Sequence, residues 1–453
     1  MGRKKSKNDP PRTMIRVDKQ DLQKKPKDEL VDELYDSLVE IEKLKRELRK
    51  YKNPNTPHSA HPHLKPNTQG TTAGGKRGAP EGHTGTSRSW KKPDETRPII
   101  AEECPGCHSK DIEITGKQHR QVEEMPPDIQ PTIVNVERDI CKCNTCKLEF
   151  VARDGRTPIQ GRFGINLMVL VIFLKFIVRG VLRKTVSFLD ASFALRLAPA
   201  SVQAIVARAA EAAKIEYSSL KQRIREARII YADETSFSVL GKNWWVWVFR
   251  SDTDLLFVIR NSRGNNVLEE ILGKAFTGIV VCDCWRAYDF LSNAQIQRCW
   301  AHLLRKSKEL CQSVVGQHFH DKIHMLFDEI KQFNSKEHTE KQRARKYKQM
   351  TAKLQRILAY YSRYAECEGV IKYIDFHLES WFTCIKIAGV EPTNNYAEQA
   401  IRETVIVRKI IGAFRSESGT KVYETLASLL ATWQFQKRDI KQELKRMLTT
   451  NLC

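Results

Sequence analysis

Residues 228–250, RIIYADETSFSVLGKNWWVWVFR, constrain this chain more than any other stretch. Ile229, Ile230 and Tyr231 form a short β-branched and aromatic run, and residues 244–249 form a second, with Gly241 and Asn243 between them. Two such runs parted by turn residues predict adjacent strands. Asp233 falls at the end of the first run. A carboxylate where a buried strand ends is rigidly held yet reaches solvent, which suits a metal ligand better than a casual surface charge. Residues 255–259 and 279–282 predict two further strands, with a helical pattern over 266–274 between them. The last of these strands also ends on a carboxylate, Asp283.

Two aspartates at the ends of two strands of one sheet lie within reach of a common cation. A third acidic residue is needed to hold a pair of magnesium ions roughly 3.5 to 4 Å apart, the arrangement that serves phosphodiester chemistry. The segment PTNNYAEQAIRETVIVRKI, residues 392–410, supplies it. Pro392, Thr393, Asn394 and Asn395 are helix-start residues, and Glu398 sits in the first turn of the helix they begin. Asn394, Glu398 and Arg402 are four apart and share one face. Each carboxylate also has a plainer reading. Asp283 fits a turn cap, and Glu398 fits a helix-start pairing with Asn395. Glu234, Asp289 and Glu391 are neighbouring competitors.

Taken together, ADETSFSVLGKNWWVWVF, VVCDCWRAYD, CWAHLLRK (residues 299–306) and PTNNYAEQAIR resemble the DDE transposases of the insertion-sequence-66 family. KRGAPEGHTG (residues 76–85) and a cysteine-knuckle segment also match, so the resemblance covers nearly the whole chain in the right order. It implies a ribonuclease-H-like catalytic core with Asp233, Asp283 and Glu398 in the three catalytic positions, served by two Mg2+ (or Mn2+). The implied activity cuts and joins double-stranded DNA at element ends and at a target, with a liberated 3′-hydroxyl as the second nucleophile. Such an enzyme works as a homo-oligomer, with accessory transposition proteins as further candidate partners. Two rival readings stand beside it: a zinc-containing DNA-binding regulator with an inactive transposase-like core, and a general ribonuclease-H-like nuclease.

Charge agrees with a polyanionic partner. The 453 residues carry 76 Lys and Arg against 54 Asp and Glu, a net charge of +22, and each neutralised phosphate releases counterions that strengthen binding. This length has room for roughly two to four domains. Met1 to Lys7 is basic with no apolar core after it, and the longest apolar run, residues 167–174, is interrupted by Lys175 and too short to span a bilayer. The expectation is a cytoplasmic, nucleoid-associated protein without a membrane segment.

The resulting fold class is multidomain α/β: a ribonuclease-H-like mixed sheet with helices and a helical insertion, preceded by an N-terminal helix, a zinc-knuckle domain and a helix-turn-helix-like helical domain. Residues 1–52 read as a basic arm and a heptad seam, with Leu34, Ser37, Ile41, Leu44, Leu48 and Tyr51 in alternating steps of three and four. Residues 53–100 form a Gly/Pro/Ser-rich linker, in which His58, His61 and His63 read as solvated. Of twelve cysteines, five crowd between Cys104 and Cys146. The pairs Cys104/Cys107 and Cys143/Cys146 predict one structural Zn2+ in a domain at 101–150, with Cys141 and His108 as rival ligands and unliganded thiols as the alternative.

Residues 151–227 predict helices near 165–178, 183–193 and 199–213, the last two spaced as a helix-turn-helix. Ser201, Gln203 and Arg208 are then the groove contacts, against the alternative of a packed helix. The catalytic domain spans 228–415 with a helical insertion at 303–388, and residues 416–453 form closing helices in which Trp433 anchors the core. His302 is open to two readings, contact with scissile DNA or a metal, and simple packing. Arg305, Lys306, Arg402, Arg408 and Lys409 complete the expected DNA contacts.

Overall fold

The computed structural model describes residues 92–96, 98–119, 122 and 129–453, together with Leu30, Ser37, Ile41 and Leu44. The chain divides into two units, Met1–Glu123 and Glu124–Cys453. In the first, Leu30, Ser37, Ile41 and Leu44 are helical, and Ile41 and Leu44 are 45% and 49% exposed. The rest of the heptad seam, the basic arm and residues 53–91, including the three linker histidines and the glycine-rich basic piece, lie outside the described residues.

The second unit begins with a small hairpin, β1 (Ile140–Lys142) and β2 (Glu149–Val151), paired antiparallel. Four helices follow: α1 (Ile165–Phe176), α2 (Leu182–Phe193), α3 (Pro199–Ala212) and α4 (Lys214–Glu226). Proline opens α3 because its missing N–H is an orphan donor there anyway. The sheet then starts with β3 (Ile229–Val239), β4 (Lys242–Arg250) and β5 (Leu255–Arg260). Leu240 and Gly241, both at positive φ, join β3 to β4, which is the two-residue turn whose twist matches flanking antiparallel strands. Helix α5 (Asn265–Ile271) leads to β6 (Ile279–Cys282) and β7 (Gln295–Arg298).

Strand order is β5-β4-β3-β6-β7. The first three run antiparallel, whereas β6 runs parallel to β3 and β7 parallel to β6. Strand β7 escapes the hydrophobic-run signal because its sequence is QIQR, yet Gln297 and Arg298 are buried. After β7 come α6 (Trp300–Lys308), α7 (Val314–Asn334), α8 (Glu340–Tyr361), α9 (Glu368–Asp375) and α10 (Thr383–Lys386), the expected helical insertion. Helix α11 (Asn395–Ile411), the short β8 (Ala413–Phe414) beside β3, α12 (Glu417–Phe435) and α13 (Ile440–Leu452) close the unit.

Alternation along the strands separates two cores. Ile230, Ala232, Trp247 and Phe249 pack on one face with α1, α3, α12 and α13, where Trp433 is buried as expected. Ile229, Tyr231, Val246 and Val248 pack on the other with the insertion helices and α11. The outer edge of β5 is closed by a polar stripe of α12. Leu255 N, Phe257 N and Ile259 N donate to Thr432 Oγ1, Ser428 Oγ and Glu424 Oε1 at 3.0, 2.8 and 2.8 Å. Four helical residues rise about 6 Å and two strand residues about 6.7 Å, so a side chain every fourth helical position meets every second strand N–H. The edge therefore presents no free donors to another chain.

Candidate active site

Asp233 does not end its strand, contrary to the sequence expectation. It lies mid-way along β3, which continues because β4 pairs with it as far as Val239. What ends near Asp233 is the parallel neighbour: β6 pairs with β3 through Tyr231↔Val281. Extending that register by two residues sets Asp233 beside Asp283. The carboxylate is thus held by one strand and uncovered by the end of another.

Period-two alternation also settles the nearest competitor. Asp233 shares the face of Ile229 and Tyr231, whereas Glu234 points the other way, bonded to Arg263 Nε at 2.8 Å and Tyr288 Oη at 2.9 Å. That Arg263 guanidinium also lies over Trp285 and Trp245. Asp289 pairs with Arg298, and Glu391 is exposed. Glu234 and Asp289 are thus spent on partners of their own.

A chain of hydrogen bonds draws the three site elements together. Cys299 N donates to Cys282 O at 2.8 Å, fixing the start of α6 to the end of β6. Asn394 N donates to Cys299 Sγ at 3.2 Å, and Asn394 Nδ2 donates to Ala232 O at 2.7 Å. Trp300 N adds a bond to Pro392 O at 3.0 Å. The start of α11, with Glu398 in its first turn, is therefore pinned one residue from Asp233. Asp283 is steadied by Trp285 N on its Oδ1 at 2.8 Å and by the buried Arg298, whose Nη1 donates to Asp283 O at 2.6 Å. Asn394 was legible as a helix-start residue on the face of Glu398 but not as a tether to Ala232, 162 residues away, and Arg298 was not legible at all, because its partners are set by the fold rather than by a local pattern.

The helix-start pairing does not form at Glu398: α11 has no side-chain cap bond, and Glu398 Oε1 is shut from water without a partner. Asp233 is pushed up to about 8, first by burial and then by the charge of Glu234, with Asp283 and Glu398 adding to it and the Glu234 N–H opposing. The charges of Asp283 and Glu398 reach Asp233 and oppose its ionisation, and a divalent cation there would reverse the sign of the local field. Three hard oxygen donors suit magnesium or manganese.

Of the expected DNA contacts, Arg305, Arg402 and Lys409 are exposed, with Arg402 one turn beyond Glu398 on α11. Lys306 is half-buried against the Tyr373 ring. Arg408 is turned inward, donating from Nη1 to Thr235 Oγ1 at 3.3 Å and to Ser236 O. In α3, Val202, Ile205, Val206, Ala209 and Ala210 are buried, Gln203 is exposed, and Ser201 and Arg208 are half-buried.

Each CxxC forms the same tight turn. Lys147 N donates to Cys143 O and Cys143 N to Leu148 O, and His108 N and Cys104 N make the matching bonds to Cys104 O and Ser109 O. Cys146 N points at Cys143 Sγ at 3.5 Å. Backbone N–H groups, those of Gly106 and then Cys107 in one turn and of Cys146 and then Thr145 in the other, hold the Cys104 and Cys143 thiols below the ordinary value. Each turn therefore favours the thiolate form that zinc binds. Of the rivals, His108 is engaged by Glu103 at 2.8 Å, and Cys141 sits on β1.

These features define a class: α/β proteins whose mixed sheet presents a carboxylate cluster where a parallel strand ends. Within it, this chain belongs to the IS66 family of transposases, since the family model described as "Transposase IS66 family" matches residues 160–422. The chain is also similar to the uncharacterized protein y4qI of Sinorhizobium fredii (strain NBRC 101917 / NGR234), at 27% identity over 263 residues. That match covers 50% of this chain and 48% of the relative, so the chain spans about half the length of the curated relative it matches.

Proposed function

We propose that this protein is a DDE transposase that binds the ends of an insertion sequence and carries out metal-dependent strand cleavage and strand transfer. The observation that carries the reading is the bond chain from Cys282 through Cys299 and Asn394 to Ala232, which ties together the elements that carry Asp283, Glu398 and Asp233. The β5-β4-β3-β6-β7 order supports a ribonuclease-H-like core. Asp233, Asp283 and Glu398 would hold two Mg2+ (or Mn2+), and such a pair, when bound, activates the attacking water and stabilises the leaving oxygen. The protein's own part is positional: Asn394 sets the helix that carries Glu398, and Arg298 backs the turn that carries Asp283.

Cys104, Cys107, Cys143 and Cys146 would hold one structural Zn2+, a reading supported by the two matching turns. Family membership implies DNA binding, for which Arg305, Arg402 and Lys409 are the best placed, with Lys306, Gln203, Ser201 and Arg208 secondary. We place the protein in the cytoplasm at the nucleoid, as a homo-oligomer; among the described residues no helix is long and apolar enough to cross a membrane. The test is cleavage of labelled terminal DNA with magnesium by Glu398→Gln. This variant keeps side-chain length but removes a charge from the metal pair, so cleavage should fall about a hundredfold or more. Melting should hold, because Glu398 makes no helix-start bond. Glu391→Gln should cut normally, and parental cleavage by Glu398→Gln ends the proposal.

A further inference from the structure

Cys299 and His302 belong to the start of α6, and Glu398 to the start of α11. The bond from Asn394 N to Cys299 Sγ brings the two helix starts into contact. One ligand atom from each of Cys299, His302 and Glu398 lies within 4.8 Å of the others. His302 Nδ1 and Glu398 Oε1 face each other at 3.6 Å, too far for a hydrogen bond. Both atoms are closed to water and lack a hydrogen-bond partner. Two buried, unpartnered polar atoms that face each other, with a thiol sulfur in reach of both, call for a ligand between them.

The chemistry of the donors selects that ligand. A thiol, an imidazole and one carboxylate oxygen form a borderline set that magnesium disfavours and zinc prefers, with tetrahedral geometry leaving a fourth position open. We propose that Cys299, His302 and Glu398 form a second metal site, for a zinc-class divalent ion, which competes with the magnesium pair for Glu398. Binding releases the Cys299 thiol proton to solvent and turns the Glu398 carboxylate toward the zinc-class ion. One carboxylate cannot serve both arrangements at full strength, so zinc is an inhibitor of the magnesium reaction. The inhibition rests on the reading of Glu398 as catalytic, whereas the binding does not.

The test uses the full-length reduced protein, stripped by chelation and dialysed against zinc buffered in the micromolar range. The parent is expected to hold one zinc more per chain than His302→Ala or Cys299→Ser. A Cys104→Ser/Cys143→Ser protein, which dismantles the other proposed zinc site, is expected to keep that ion. With cobalt in place of zinc, a near-ultraviolet thiolate charge-transfer band in this background should vanish on adding Cys299→Ser. Where His302→Ala does not melt cooperatively, His302→Gln takes its place. Equal zinc content in the parent and in folded His302 and Cys299 variants overturns the site and leaves a plain imidazole–carboxylate pair.

Zinc inhibition of magnesium-dependent cleavage should weaken at least about tenfold in Cys299→Ser, since even the outer partners of metal ligands contribute that much to affinity. Equal inhibition of parent and variant overturns the competition. A parent that fails to cleave with magnesium overturns the catalytic reading instead, while the zinc count still decides the site.

Discussion

Asn394→Ala is the perturbation that separates positioning from chemistry at this site. The side chain is fully buried and gives its Nδ2 to Ala232 O at 2.7 Å. Truncation strands that carbonyl without a donor, and an unsatisfied buried group costs about 1–3 kcal/mol. At about 2 °C per kcal/mol for a unit of this size, the melting temperature should fall roughly 2–6 °C. The larger consequence is geometric. The lost bond is the direct tie between the start of α11 and β3 next to Asp233, so Glu398 is free to drift from the other two carboxylates. A displacement of about 1 Å in a reacting assembly costs about a hundredfold in rate. Asn394→Asp replaces the donor with a charged oxygen facing Ala232 O, and should melt lower still. The assay is cleavage of labelled end DNA over a magnesium titration, run beside differential scanning calorimetry. An Asn394→Ala protein that melts lower yet cuts at the parental rate refutes the positioning role, and one that melts and cuts like the parent refutes the tether altogether.

Ser428→Ala removes the acceptor for Phe257 N on the closed edge of β5, so chemical denaturation should report a loss of about 1–3 kcal/mol. An unchanged midpoint would mean that α12 does not satisfy that edge. Cys143→Ser should lower bound zinc and weaken end-DNA binding while the main melting transition, set by the sheet and its two cores, stays in place; unaltered zinc in metal-replete protein rejects the four-cysteine site. Ile41→Asp with Leu44→Asp places two charges on the heptad seam, where both residues are exposed in the single chain. Sedimentation should then show a smaller assembly than the parent, and an unchanged one rejects the seam.

The sequence by itself determined the elements with local signals. Proline at 199, the apolar runs at 229–231, 244–249 and 279–282, and the polar start of α11 each place an element within a few residues of where it lies, because propensity and periodicity are short-range properties. It also determined the family, since four long motifs in order are legible without a structure. Tertiary structure decided the rest. Strand β7 has no apolar run and exists because Arg298 and Gln297 find buried partners in Asp283 O and the Trp381 carbonyl. Arg408 reads as a DNA contact on charge alone but is spent on Ser236 O. Glu234 and Asp233 are adjacent in sequence and equal in charge, and only the pleat of β3 sends one to Arg263 and the other toward Asp283 and Glu398. Which carboxylates come near one another is a question of distance between residues as many as 165 positions apart, and that is fixed by packing.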